Sequence, residues 1–247
     1  MKNDLGILII LAYYNRPKLA WNALRSIEEI KYDNWELVVI DDGSYPEEKT
    51  AKKLLQYYCM GVDAFKGRLK EVVYILDTPN QKIAQGGSRH GEYLNKYILQ
   101  SNKEIVCVLC DDDAILSDYF TKLNSWFQAN PTAHYCYSHV IQYNPLTESP
   151  FGKEKTPWWT NHEVTLHPVN RIDSSQVAFL SKCFKEDGCR YPSPKTENLD
   201  AAIFQQFYDR YGPCPYTGFD GQYKGVSEKN MVARSPEMQF FINPDKE

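Results

Sequence analysis

The sequence lacks the glycine motifs that mark several large classes of nucleotide-binding and hydrolytic enzymes. No Gly-x-Gly-x-x-Gly follows the first apolar segment, and no Walker-type Gly-Lys-Ser/Thr is present. These absences argue against dinucleotide-dependent oxidoreductases and P-loop phosphotransferases. A Gly-x-Ser-x-Gly elbow is also missing, so a serine hydrolase is disfavoured.

Basic charge and long apolar runs are scarce as well. The formal net charge of −4 argues against nonspecific binding to nucleic acid, which requires a surplus of Lys and Arg. The longest apolar run, residues 5–12, is too short to span a bilayer. We therefore interpret this run as a buried strand and expect no transmembrane segment.

Cysteine is present in a number that does not fit a disulfide framework. The seven cysteines are odd in number and irregularly spaced, which indicates a reducing compartment and a cytoplasmic protein. Cys107 and Cys110 form a Cys-x-x-Cys pair inside an apolar segment, without a second pair nearby. We expect them to be buried structural thiols rather than a zinc or redox site.

Apolar and helical patterns alternate along the first half of the chain. An apolar fraction of 43% supplies a core. Strands are predicted for residues 7–12, 37–40, 72–76 and 105–109, and helical spacing recurs at residues 17–30, 51–58, 94–98 and 119–127. This order predicts an α/β fold with a mostly parallel, Rossmann-like central sheet flanked by helices. Further on, a strand is predicted at 176–180 and a helix at 197–211.

Polar residues cluster where three predicted strands end. The three groups are Tyr13, Tyr14, Asn15 and Arg16; Asp41, Asp42, Gly43 and Ser44; and Asp111, Asp112 and Asp113. Because ligands of parallel sheets bind beyond the carboxyl ends of the strands, we expect these groups to converge on one site.

The three adjacent aspartates are the sharpest feature. Their mutual repulsion is unfavourable unless a cation or hydrogen-bond donors compensate for it. In an extended segment Asp111 and Asp113 would point to the same side, where their oxygens suit Mg²⁺ or Mn²⁺. Alternatively, the aspartates mark a helix start, where a negative charge is favourable.

The acidic turn Asp41-Asp42-Gly43-Ser44 has two interpretations. Such residues are common turn formers. A carboxylate in this position after a strand could also accept hydrogen bonds from a nucleobase or a ribose hydroxyl.

Three segments, residues 9–17, 36–44 and 109–113, together resemble the family-2 glycosyltransferases of the GT-A fold. The resemblance extends over roughly residues 5–125. Residues 80–95, which include Gly87 and Arg89, also resemble a stretch of that family, although His90 stands where the family usually has Asn.

The resemblance implies transfer of a sugar from a nucleotide-sugar, a UDP-sugar above all, to an acceptor hydroxyl, with Mn²⁺ or Mg²⁺ and inversion at the anomeric carbon. It implies that Tyr13 and Asp42 hold the base or ribose, that Arg89 lies near the base or diphosphate, that Asp111 contacts ribose or the metal, and that Asp113 binds the metal. Because the run of three aspartates leaves the register open by one, Asp112 is also a candidate. The predicted nucleotide-sugar site comprises Ala12, Tyr13, Tyr14, Asn15, Arg16, Asp41, Asp42, Gly43, Ser44, Gly87, Arg89, Asp111 and Asp112.

A general base is expected in the second half of the chain. The family commonly has a Glu-Asp pair at a helix start, but here the pair reads Glu197-Asn198, and Asn cannot act as a base. Asp200, one turn beyond Glu197 on the same helix face, is the preferred base, with Glu197 as the alternative. Both residues could instead merely stabilise the helix N-terminus.

Two further segments have possible roles in binding. Trp158 and Trp159 are either a stacking platform for an acceptor sugar or ordinary core residues. Residues 216–225, rich in glycine and aromatic residues, suit a lid over the donor or a disordered tail.

We expect one GT-A domain over residues 1–247, with a nucleotide-sugar-binding half at 1–125 and an acceptor-binding half at 126–247. The expected acceptor is a glycan, a lipid-linked or another hydroxyl compound, and a lipid-linked acceptor would place the protein at a membrane surface. A nucleotidyltransferase and a noncatalytic nucleotide-sugar-binding protein remain alternatives.

Overall fold

The fold is seen in a computed structural model. It describes residues 4–14, 16–42, 61, 65–74, 89–143, 157–158, 167–169, 172–192 and 199–225. The predicted helix at 51–58 lies outside these residues. Among the described helices, none is both long and apolar enough to cross a bilayer.

The described strands and helices of the first half match predicted segments, apart from β5, which was not predicted. The strands are β1 (Ile7–Tyr13), β2 (Trp35–Asp41), β3 (Leu69–Tyr74), β4 (Ile105–Cys110) and β5 (Ala114–Ile115). The helices are α1 (Pro17–Glu28), α2 (His90–Gln100) and α3 (Tyr119–Ala129). Pro17 occupies the start of α1, as predicted, where its missing N–H leaves no bond unmade.

The second half adds further strands to the same sheet. These are β6 (Tyr135–Tyr143), β7 (Pro157–Trp158), β8 (Val177–Leu180) and β9 (Tyr216–Gly225). A 3₁₀ turn (Ser174–Gln176) precedes β8, and two helices, α4 (Lys182–Lys185) and α5 (Leu199–Tyr211), follow it.

Within the described residues the sheet has nine strands in the order β3-β2-β1-β4-β8-β6-β9-β5, with β7 paired to β6. Strands β3, β2, β1 and β4 are mutually parallel. Strand β8 runs antiparallel to both β4 and β6, and β9 runs parallel to β6. The parallel half thus carries the predicted site, and the mixed half extends the sheet from β4.

Alternate residues of the central strands point to opposite faces of the sheet. Both faces are therefore apolar, and helices cover each of them. Ile7, Ile9 and Leu11 of β1 belong to a core with α1 and α3, whereas Leu8 and Ile10 belong to a second core with α2 and α5. Strands buried on both faces lack polar alternation, which is why these apolar runs were recognisable in the sequence.

The interpretation of residues 216–225 as a lid or a disordered tail is wrong. The segment forms β9, the ten-residue strand that pairs with β6 and β5. Gly221 permits close packing here, since a Cβ at this position would overlap the ring of Tyr119. The glycines therefore serve strand packing rather than hinge motion.

Candidate active site

Strands β1, β2 and β4 end side by side, as the sequence predicted. The register pairs Tyr13 with Asp41 and Ala12 with Cys110. The residues that follow each strand therefore share one edge of the sheet.

The ends of β1 and β2 are joined by hydrogen bonds. The Tyr13 hydroxyl donates to Asp41 Oδ2 at 3.1 Å, and the Asp42 backbone N–H donates to the Tyr13 carbonyl at 2.9 Å. Asp41 is fully buried, whereas Asp42 is partly exposed at the edge. Asp42 is thus the carboxylate of this pair that a ligand can reach.

Arg16 forms a two-pronged ion pair with Asp111. Its Nη2 lies 2.5 Å from Oδ1 and its Nε lies 3.1 Å from Oδ2, while Nη1 reaches Asp112 Oδ2 at 3.2 Å. Such fork-like pairs fix geometry as well as charge. Asp111 is 2% exposed, and this burial raises its pKa to about 7 although Arg16 opposes the shift.

The expected extended geometry of the acidic run is wrong. Asp111 and Asp112 lie in a turn, closed by the Asp113 N–H donating to the Cys110 carbonyl at 3.2 Å. Asp111 therefore faces Arg16, while Asp113 faces Lys224. The helix-start interpretation does not apply either, because β5 follows the turn and α3 begins only at Tyr119.

Three potential ligand atoms lie close together in this turn. The Cys110 Sγ and one carboxylate oxygen each of Asp112 and Asp113 are all within 4.8 Å of one another. Burial raises the pKa of the Cys110 thiol well above its usual range, so the thiol is protonated. The two carboxylates are the better ligands for Mg²⁺ or Mn²⁺, which prefer oxygen.

Asp113 is paired across the sheet with a lysine that the sequence interpretation overlooked. Lys224 of β9 places its Nζ 2.9 Å from Asp113 Oδ2 and 3.2 Å from Asp173 Oδ1. Asp113 is fully buried, which raises its pKa to about 7 against the effect of Lys224. Burial alone would lower the pKa of Lys224, but the two carboxylates hold it well above its usual range.

Asp173, the second carboxylate that contacts Lys224, is held in place by hydrogen bonds. It accepts hydrogen bonds from the N–H and the hydroxyl of Ser175, at 3.1 and 2.9 Å, and caps the 3₁₀ turn. An Asp-Ser-Ser-Gln capping pattern in the sequence could have indicated this turn. Nothing in the local pattern around Lys224 indicated a role, because its partners are distant in the chain.

A cavity of about 310 Å³ lies beside the acidic turn. Its lining includes Ala12, His90, Cys110, Ser174, Tyr191 and Asp200. Asp200, the predicted base, belongs to the first turn of α5 and is half-buried. A second cavity of about 620 Å³, lined by Leu5, Glu104 and Lys185 among others, contains none of those predicted site residues that the structure describes.

Some of the remaining predicted residues are described by the structure, and the others lie outside it. Arg89 precedes α2 and pairs with Glu92 at 2.8 Å. Asn15, Gly43, Ser44, Gly87, Trp159 and Glu197 lie outside the described residues. Trp158 is in β7, and its role stays a prediction.

The interpretation of Cys107 and Cys110 as a pair of buried structural thiols is half right. Cys107 is a free, buried thiol of the core, whereas Cys110 is partly exposed and faces the acidic turn and the cavity. The difference arises because Cys110 is the last residue of β4, where the strand reaches the open edge.

Comparisons with solved structures agree with this architecture. The S. aureus TarS 1-349 structure in complex with UDP-GlcNAc superimposes with a TM-score of 0.66 at 17% identity, covering 91% of this chain and 59% of that one. The mannosyltransferase PcManGT from Pyrobaculum calidifontis, in complex with GDP-Man and Mn²⁺, gives a TM-score of 0.61 at 16% identity, with coverages of 94% and 60%. At such identities the likeness concerns the fold, which is the predicted GT-A fold.

The chain spans less than two thirds of the length of these structures. No curated protein matches the sequence closely enough to serve as a relative. The profile described as glycosyl transferase family 2, in contrast, matches residues 8–185, from β1 to the end of α4. The chain therefore belongs to glycosyl transferase family 2.

Proposed function

We propose that this protein transfers a sugar from a nucleotide-sugar donor to an acceptor hydroxyl, with inversion and with the help of Mn²⁺ or Mg²⁺. The observation that carries the proposal is the acidic turn at the carboxyl edge of the sheet, in a chain of this family. Asp112 and Asp113 place carboxylate oxygens within 4.8 Å of each other there. These two residues would hold the ion, and its charge would stabilise the negative charge that develops on the leaving diphosphate.

The residues of the first half are proposed to hold the nucleotide. Asp42, partly exposed just after β2, would accept hydrogen bonds from the base or ribose, and Tyr13 would fix this strand end through Asp41. Arg16 would keep Asp111 and Asp112 in place through its three contacts. Because Arg16 binds both of its carboxylate oxygens, Asp111 is better suited to orienting the turn or contacting ribose than to binding the ion. We therefore propose Asp112 and Asp113, rather than Asp111 and Asp113, as the metal ligands.

The sugar and the acceptor would meet in the cavity beside the turn. Asp200 lines this cavity together with Cys110. We propose that Asp200 takes the proton of the acceptor hydroxyl while the acceptor oxygen forms a bond to the anomeric carbon. The bond between that carbon and the diphosphate oxygen breaks on the opposite side, so the nucleoside diphosphate departs with the electron pair and the configuration inverts.

The donor is proposed to be a UDP-sugar. TarS was captured with UDP-GlcNAc and PcManGT with GDP-Man, so these two compounds are the first donors to test. The described cysteines are free thiols, and we propose a reducing, cytoplasmic location on that basis.

The proposal is tested by thermal shift and by turnover. A donor that binds the folded state raises Tm, by the equivalent of about 2.7 kcal/mol when its concentration is 100 times Kd. We expect UDP-GlcNAc or another UDP-sugar to do so with Mn²⁺ present, and Asp113→Asn to abolish the metal-dependent part. Asp33→Asn is the matched control, since that side chain is fully exposed and remote from the turn in the sequence.

Release of UDP in the presence of metal and candidate acceptors then separates an enzyme from a binder. Equal stabilisation of wild type and Asp113→Asn would contradict the metal site. Binding without any donor consumption would instead favour a noncatalytic nucleotide-sugar-binding protein.

A further inference from the structure

Lys224 lies where a cation would be expected to bind. Its side chain is 17% exposed and bridges two carboxylates, Asp113 at 2.9 Å and Asp173 at 3.2 Å. Asp113 is also one of the three residues whose ligand atoms cluster at the acidic turn. The ammonium therefore binds a carboxylate that the ion of the proposed function would need.

Ser175 contacts both carboxylates, but Asp173 has further partners of its own. Asp173 is fixed by Ser175 and by a reciprocal bond from its own N–H to Gln176 Oε1 at 3.1 Å. Gln176 is anchored in turn, because its Nε2 donates to the Ser138 carbonyl at 3.1 Å. Asp173 is thus a preorganised acceptor for Lys224 whatever Asp113 binds.

We propose that Lys224 is an internal competitor of the divalent ion, occupying Asp113 until the ion arrives and then remaining on Asp173 alone. The inference rests on the proposed function. It follows from charge: an ammonium and a divalent ion cannot share the Asp113 carboxylate closely without strong repulsion inside a buried site. Moving Nζ toward Asp173 relieves that repulsion and keeps both carboxylates compensated.

This competition makes binding of the ion depend on binding of the donor. The ion by itself must displace Lys224 from Asp113, so it binds weakly. The donor diphosphate would bring additional negative charge, which would favour the ion at the turn while Lys224 stays on Asp173. Lys224 is therefore a positioning residue that favours the joint binding of ion and nucleotide over binding of the ion alone.

The test is a titration of the protein with Mn²⁺ in the absence of donor. The electron paramagnetic resonance signal of the free ion measures how much Mn²⁺ remains unbound at each step. We expect Lys224→Met to bind Mn²⁺ at least about tenfold more tightly than wild type, since a neighbouring charge typically changes the proton affinity of a carboxylate by about 1–3 log units. Lys224→Arg keeps the competing charge and should bind no more tightly than wild type. Lys122→Met is the control for loss of one positive charge, because Lys122 of α3 pairs with Asp118, the residue that precedes this helix.

Unchanged Mn²⁺ affinity in Lys224→Met beside measurable binding by wild type would overturn this inference and leave the proposed function intact. Tighter binding by Lys224→Arg would also overturn it. Absence of Mn²⁺ binding in every variant would overturn both the competition by Lys224 and the metal part of the proposed function. Sugar transfer from the donor is measured separately and tests the rest of the proposed function. If Lys224→Met does not fold, Lys224→Gln takes its place and Lys224→Arg still provides a decisive comparison.

Discussion

Asp113 and Lys224 form an ion pair of 2.9 Å although 111 residues separate them in the chain. Asp113 ends the acidic turn after β4, and Lys224 is near the end of β9. The pair connects the parallel half of the sheet, which belongs to the family profile, with the last described strand, which lies beyond residue 185. Both halves of the chain are therefore needed to complete the charge arrangement of the site.

The first prediction concerns pH. Burial raises the pKa of Asp111 and of Asp113 to about 7, from an ordinary value of 3.8. A carboxyl with a raised pKa contributes stability while it is protonated, and this contribution is lost as pH rises from the ordinary value to about 7. We expect the stability of the metal-free protein to fall from about pH 4 to about pH 7 and to level off above that, and the Tm increase caused by Mn²⁺ to be larger at pH 8 than at pH 6. Melting curves at both pH values, with and without Mn²⁺, measure this; a larger Mn²⁺ effect at pH 6 would contradict it.

The second prediction concerns Arg16. Replacing it by Met removes three contacts from Asp111 and Asp112 and leaves a buried carboxylate without this cation. Because the Arg16 side chain is 40% exposed, we expect a loss of about 1–3 kcal/mol rather than the larger cost of breaking a fully buried pair. The loss should be smaller at pH 6, where Asp111 is protonated. Urea unfolding at pH 6 and pH 8 measures it, with Arg68→Met as the control, since Arg68 pairs with the fully exposed Asp33. An identical loss at the two pH values would exclude a role for the Asp111 charge.

The third prediction concerns the general base. We expect Asp200→Asn to lower kcat by about 10²–10⁴-fold while donor binding in the presence of Mn²⁺ is retained. Its effect on stability should be no more than about 1 kcal/mol, the usual value of an acidic residue in a first helical turn. Asp209→Asn near the exposed end of the same helix is the control. Parallel measurement of Glu197→Gln decides between the two candidates, and full activity in Asp200→Asn would remove Asp200 from the mechanism.

The fourth prediction concerns the packing of β9. A Cβ on Gly221 would overlap the ring of Tyr119, which is fully buried on α3. We expect Gly221→Ala to destabilise the fold by about 1–3 kcal/mol, as overpacking of a core usually does. Gly61→Ala should be nearly neutral, because no atom of the described residues lies within 4 Å of a Cβ at that position. Chemical denaturation compares the two, and equal stabilities would show that β9 can shift away from α3 at little cost.

The parallel half of the fold was predictable because its signals are local. Each strand that helices cover on both faces leaves an uninterrupted apolar run, and β1 and β4 appear close to the predicted bounds. The family was predictable for a related reason: its motifs follow these strands at short, regular distances. The α/β class, the GT-A fold and the family membership are confirmed.

The detailed site was predictable only in part. The sequence determined which polar groups come to the edge, since Tyr13 and Asp41 are paired there by the strand register. It did not determine how the acidic run is folded, and the turn that separates Asp111 from Asp113 had no local signal. The binding roles of the individual residues stay predictions.

By itself, then, the sequence determined the parallel strands of the first half and the carboxylates at their edge, because periodicity and motif spacing act over a few residues. Only the tertiary structure decided that residues 216–225 form a strand and that Lys224 meets Asp113 and Asp173. Contacts between residues so far apart arise from the packing of β9 against β6, β5 and α3, and no local pattern of amino acids encodes them.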